Sequence, residues 1–256
     1  MPPHSNILPL TNQTASDVTL RPLRRADLPA AYAISASFGW PHRMEDWDFL
    51  FGLGQGIAAE SAGKLLGTAL FWTYEPNASA LGLVGVAPEA QGRGLGRRLV
   101  EQVLRNLRGR SIVLYATERG VRLYESFGFV TQGLIRQHQG TAFQPALVPP
   151  HPGERLRPIG RSDPPLLGKL DREASGMDRS ALITALIAAG NSIVLDRDGS
   201  AIGFAVLRRF GIGHMIGPVI APDETRARVL IGHFLASHPG QFLRVDVPAP
   251  GTLSPW

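Results

Sequence analysis

Val86-Ala87-Pro88-Glu89-Ala90-Gln91-Gly92-Arg93-Gly94-Leu95-Gly96-Arg97-Arg98-Leu99 is the stretch whose reading decides the fold. The run before it, Leu81-Gly82-Leu83-Val84-Gly85-Val86, is apolar and strand-like. After it, Leu95, Leu99, Val100, Val103, Leu104 and Leu107 form one apolar stripe at helical spacing. Arg97, Arg98, Glu101, Arg105 and Arg108 take the other side, and Gly109 sits where a helix stop belongs. Gly92, Gly94 and Gly96 therefore stand at a strand-to-helix turn. Backbone N–H groups can converge there with the positive end of the helix, an arrangement that holds phosphate. The same glycines also suit a closely packed turn. No Lys-Ser/Thr follows them, which excludes the nucleotide P-loop, and the spacing differs from G-x-G-x-x-G.

Downstream, Arg110 to Thr117 reads as a strand and Glu118 to Ser126 as a short helix, followed by Gly128-Phe129-Val130. The segment Leu123-Tyr124-Glu125-Ser126-Phe127-Gly128-Phe129 resembles the L-Y-E-x-x-G-F ending of the GNAT superfamily of acyl-CoA N-acyltransferases. Gln91-Gly92-Arg93-Gly94-Leu95-Gly96 resembles that superfamily's Q/R-x-x-G-x-G/A pyrophosphate turn. The resemblance implies an α/β (α+β) fold with mixed, mostly antiparallel sheets flanked by helices. It also implies acetyl-CoA as co-substrate, bound by Val84, Gly85 and Val86 of the strand, by Gln91, Gly92, Arg93, Gly94, Leu95, Gly96 and Arg97 of the turn, and by Thr117. Many members carry Asn where this chain has Thr117, and a hydroxyl supplies only part of that contact.

A second signal is internal repetition. Leu20-Arg21-Pro22-Leu23-Arg24-Arg25-Ala26-Asp27 recurs as Leu156-Arg157-Pro158-Ile159-Gly160-Arg161-Ser162-Asp163, an offset of 136. The same offset carries Leu66-Gly67-Thr68-Ala69-Leu70 onto Ile202-Gly203-Phe204-Ala205-Val206. The expected organisation is a flexible tail over 1–17, a catalytic unit over 18–140, a Pro-rich linker over 141–153 and a degenerate second unit over 154–256. Where the first half has Gly92, Gly94 and Gly96, the second has Arg226, Arg228 and Leu230. Their side chains obstruct the close backbone approach that a pyrophosphate needs. The second unit is also expected to be truncated, because the chain stops soon after the strand Phe242 to Val247. Its uncovered sheet then needs the first unit, or a second chain in a homodimer, as cover. The tandem plan, with Pro41-His42-Arg43-x-Glu45-Asp46-Trp47 early and Asp171-x-Glu173-x-x-Gly176-x-Asp178-Arg179 late, resembles a group of two-domain GNAT proteins and names no substrate.

Composition sets bounds. The net charge of +5 is spread evenly over both halves, with no basic tail, which speaks against a dedicated nucleic-acid partner. Cysteine is absent, so disulfides, thiolate zinc sites and a cysteine nucleophile are excluded. The seven histidines show no metal-ligand spacing, and no metal is expected. Without a signal peptide or an apolar run of membrane-spanning length, the chain reads as cytoplasmic with no membrane partner.

GNAT resemblance implies direct attack of an amine on the thioester. A backbone N–H of a bulged strand, here Val84-Gly85-Val86, polarises the carbonyl. Gly85 suits a bulge or a packing contact equally. Tyr124 matches the Tyr that protonates the leaving thiolate, and also reads as a packed helix residue. The base has no single candidate: Glu75, Glu60, Glu45, Asp46, His42 and His138 remain, beside a water chain. The loop Phe38 to Trp47 is where such folds place the acceptor, so Trp40, His42, Glu45, Trp47 and Glu75 are the candidate substrate contacts, and a structural cap reads as well. The expected activity is acetyl transfer to a small-molecule amine. The rival readings are a non-catalytic acyl-CoA sensor, and a transferase acting on a protein or antibiotic amine.

Overall fold

The computed structural model describes residues 17–256, so all but the last residue of the expected tail lies outside it. The first sheet has the order β1-β2-β3-β4-β5: β1 (Thr19–Pro22), β2 (Gln55–Ser61), β3 (Lys64–Tyr74), β4 (Ala78–Val86) and β5 (Ser111–Leu114). Only β4 and β5 pair in parallel. Helices cover both faces. Gly85 faces α1 (Leu28–Ser37), where an added Cβ would lie 3.0 Å from Phe38. The next residue, Val86, faces the other way, beside Leu99 of α3 (Leu95–Asn106). α2 (Met44–Gly52) lies against β2, and the short α4 (Val121–Glu125) follows β5. Leu95, Leu99, Val100 and Val103 are buried, as the helical stripe predicts.

The repeat in the sequence becomes a repeat in bonding. Arg21 of β1 forks onto Asp27 at 2.7 and 2.8 Å and reaches Glu60 of β2 through Nε at 2.7 Å. Arg157 of β7 (Glu154–Pro158) forks onto Asp163 at 2.5 and 2.9 Å and reaches Asp196 of β8 (Gly190–Arg197) at 2.8 Å. All three positions shift by 136. The same ion triad therefore ties the first strand of each unit to its neighbour, and it holds the Asp27 and Asp163 carboxyls below their ordinary range.

The second sheet corrects the expected division. Its order is β6-β11-β10-β9-β8-β7, completed by β9 (Ser200–Phe210), β10 (Gly213–Ile220) and β11 (Phe242–Ala249). β6 (Leu134–Thr141) follows α4 in the chain, yet it pairs antiparallel with β11 over eight residues, Thr141 opposite Phe242 to Leu134 opposite Ala249. A boundary at 140 therefore cuts a strand of the second sheet. The sheet is not left open at β11: the strand that closes it comes from before the linker. α5 (Asp163–Ser175), α6 (Ser180–Ala189) and α7 (Glu224–Ser237) flank this sheet.

This exchange has a measurable consequence. A fragment of residues 150–256 lacks β6 and exposes the β11 edge, so it should aggregate. A fragment starting at 130 should be soluble and monomeric by gel filtration. Cleavage in the Pro-rich segment should leave two pieces that co-elute. Equal behaviour of the two fragments would show that β6 is dispensable.

Candidate active site

β4 and β5 pair only from Ala78/Ser111 to Leu81/Leu114, and beyond that the strands part. In the parted half, β4 carries a bulge. Leu70 of β3 lies opposite Gly82 and Thr68 opposite Gly85, so three steps on β4 face two on β3. The residue that absorbs the extra step is Leu83, at φ +49°. The buried Thr68 hydroxyl pins it, donating to the Leu83 carbonyl at 3.0 Å. Of the two readings left open for Gly85, bulge or packing contact, its surroundings match the second, against Ile34 and Phe38. A left-handed leucine costs about 1–2 kcal/mol, and strain of this kind clusters where backbone groups serve a ligand. No feature of the sequence marks Leu83, because its conformation is imposed by the register.

The turn after β4 is open rather than packed. Gly92 and Gly94 have φ +74° and +72°, and a Cβ on either would meet nothing within 4 Å. Their role is conformational, and they leave open space in front of the first turn of α3, whose amides have no intrahelical partner. The Gln91 side chain donates to the Val86 carbonyl at 3.0 Å and ties the turn to the strand end. Arg93 bonds back to the Glu89 carbonyl at 3.1 Å. Arg97 is committed elsewhere: it pairs with Glu101, donates to Ser126 at 3.1 Å and lies 4.7 Å over the Phe127 ring. It braces α4 against the start of α3, as does Leu123, which sits beside Gly96. Leu123, the residue before Tyr124, thereby lies against the first turn of α3. Gly120 touches both Tyr124 and Thr117, so these two candidates share one corner. The Tyr124 ring meets Phe129 edge-on at 5.9 Å, and burial pushes its phenol above the ordinary value.

The corresponding end of α7 is filled from within. Asp223 caps the Arg226 amide at 2.8 Å, and the Arg226 guanidinium bonds the buried Glu154 at 2.7 Å. Leu230 is buried, and Arg228 bonds Thr252.

The remaining candidates divide. Trp40 packs between Phe38 and His42 in the α1–α2 loop. His42 lies edge-on to Phe210 of the second unit, and burial lowers its pKa, which keeps it neutral. Trp47 does not belong with them. It is buried in the first core with its indole N–H on Ser35 at 3.0 Å, because the α2 face that carries it turns inward. Glu45 is exposed on α2, and Glu75 is exposed beside Arg110 at the end of β3. Among the other base candidates, Glu60 serves the Arg21 triad and His138 bonds Ser254. Asp46 is locked: burial opposes its charge, but bonds from Arg43 and the Gly211 amide hold the carboxyl low.

Known proteins share this sequence pattern and this fold. The acetyltransferase (GNAT) family model matches residues 20–129, and an acetyltransferase (GNAT) domain model matches residues 167–253. The N-alpha-acetyltransferase RimI of Mycobacterium tuberculosis is 30% identical over 47% of this chain and 84% of its own length. The chain belongs to the GNAT family. The uncharacterized N-acetyltransferase YitH of Bacillus subtilis is 33% identical over 68% of this chain, and the match spans 62% of the relative. The fold of a Pyrococcus horikoshii chain superposes with a TM-score of 0.75 at 20% identity, covering 96% of this chain and 83% of that one. The two matched segments fall on the two sheets, so this GNAT protein is a tandem. Among the described residues no cluster is placed to hold a metal, and no helix is long and apolar enough to cross a membrane.

Proposed function

We propose that this GNAT protein moves an acetyl group from acetyl-CoA to the primary amine of a small molecule by direct attack. One observation carries the reading: the strained bulge at Leu83 opens the β4 backbone in the same split that ends on the Gly92–Gly94 turn. The turn fits a pyrophosphate, since space stands where a side chain would be and the helix start lies behind it. When bound there, acetyl-CoA supplies an activated thioester. Residues Leu83 to Val86 offer a backbone N–H to the carbonyl oxygen as charge builds on it. The amine nitrogen bonds to the carbonyl carbon, the carbon–sulfur bond breaks, and Tyr124 gives its proton to the sulfur. The raised phenol keeps that proton available at neutral pH. The ammonium loses one proton to solvent in the cleft before the attack, and the second proton, shed by the nitrogen as the amide forms, returns through that solvent to Tyr124.

Coenzyme A should bind at one site per chain by calorimetry, because the α7 end is filled by Asp223 and Arg226. Incubation with acetyl-CoA and a panel of small amines should release free thiol. Binding without thiol release would favour an acyl-CoA sensor, and two equivalent sites would overturn the assignment of the first unit alone.

A further inference from the structure

The motif Asp171-x-Glu173-x-x-Gly176-x-Asp178-Arg179 has no part in the chemistry so far. In the structure it forms the corner between α5 and α6. Gly176 turns the chain at φ +71°, and the Asp178 side chain caps α6 by accepting from the Ser180 amide at 3.1 Å. The Asp178 amide donates to the Glu75 carbonyl at 3.1 Å, which docks this corner on the end of β3.

A second contact lies at the other end of β4. There the Gly211 amide donates to Asp46 at 2.9 Å, and Gly211 packs so closely on Pro41 that a Cβ would lie 2.8 Å from its carbonyl oxygen. The second unit thus touches the first at both ends of the β4 face that carries α1.

Between the two contacts the sheet is apolar and partly open. Trp72 lies flat on it, bridging Gly54 and Gly82, and its indole N–H bonds the Leu50 carbonyl at 3.0 Å. Ala80 is in register with Trp72 on one side and with Val113 on the other. Val113 is 49% exposed, and Tyr115, just beyond the end of β5, is 85% exposed. Arg179 stands at one end of this floor. Asp171, fully buried, accepts from its Nε at 3.0 Å and its Nη2 at 2.6 Å, while Nη1 makes no bond among the described residues. Asp171 first of all keeps this guanidinium charged despite burial, and the phenols of Tyr74 and Tyr115 are near enough to contribute. At the opposite end, Asp46 serves two cations, Arg43 and Arg208.

We propose that the floor between the two inter-unit contacts is the acceptor subsite, and that Arg179 of the second unit reads a carboxylate on an amine with a flat apolar body. A guanidinium already oriented by a buried carboxylate loses little freedom on meeting a second one. Trp72, Val113 and Tyr115 offer the flat surface that an aromatic or planar body covers. The proposal rests on the transferase reading for the name of the subsite, but its recognition chemistry can be measured alone.

The test uses the full chain with phenylacetate and phenylacetamide as probes, titrated with saturating coenzyme A and followed by tryptophan fluorescence. Phenylacetate should bind about tenfold more tightly than the amide, the scale of one charge-assisted pair. That preference should vanish in Arg179→Gln and return in part in Arg179→Lys. Should Arg179→Gln fail to fold with Asp171 left unpaired, the double variant Asp171→Asn, Arg179→Gln removes both charges together. Tyr115→Ala, at an exposed position, should weaken both probes alike. Equal binding of acid and amide, binding of neither, or a preference that survives Arg179→Gln would overturn the proposal. A native chain that binds phenylacetate selectively but not coenzyme A would overturn the transferase reading and leave the Arg179 site standing.

Discussion

Tyr124→Phe should lower turnover by about 10²–10⁴-fold, the range of a lost general acid, with a much smaller change in the Michaelis constant for acetyl-CoA. The phenol makes no hydrogen bond among the described residues, and its ring keeps the edge-on contact with Phe129 in either form. Packing is therefore preserved, and thermal melting should barely move. Burial raises this phenol, so in the native enzyme the protonated form persists to higher pH than in a free tyrosine. The turnover of the native protein should accordingly hold through neutral pH and fall only in the alkaline range, and the Phe variant should lack that limb. Steady-state kinetics against pH checks both statements. A Phe variant with native turnover would assign Tyr124 to packing alone.

Gly94→Glu should abolish measurable coenzyme A binding. A carboxylate about 4 Å from the pyrophosphate costs about 4 kcal/mol at an effective dielectric of about 20, or roughly a thousandfold in affinity. Space around the Gly94 Cβ is open, so nothing is displaced, and the φ of +72° adds only the strain of one left-handed residue. Gly94→Ala separates the two effects: it carries the strain without the charge and should bind far better than the Glu variant. Calorimetry of both, beside circular dichroism to confirm the fold, makes the comparison. Native affinity in Gly94→Glu would place the pyrophosphate elsewhere.

Several features were legible in the residues because they are local. The α3 stripe from Leu95 to Leu107 predicts its own burial, since helical period and buried face are the same information. Gly92 and Gly94 are readable because only glycine enters a left-handed turn freely, and both are left-handed. The offset of 136 predicted two units, and it even carries the Arg21 triad onto Arg157.

Other features were decided only by tertiary structure. Strand β6 is polar and largely exposed after Leu134 and Ile135, without an alternating apolar face, and nothing between Leu134 and Thr141 says which strand it will pair with. The edge it fills is that of β11, a segment distant in the chain. Leu83 takes a positive φ because Thr68 and the β3 register force it, although leucine has no such preference. Trp47 and Trp72 look alike as aromatic residues, but one fills the core and the other lies beside Gly82 of β4 and Gly54 just ahead of β2. Arg179 gains its place through Asp171, eight residues away, and through a contact with Glu75 across the two units. Local propensity and spacing act within a few residues, so the amino-acid sequence by itself determined the family, the turn, the helices and the repeat. Strand exchange, the bulge and the composite cleft depend on hydrogen-bond partners distant in the chain, and only the folded structure selects those.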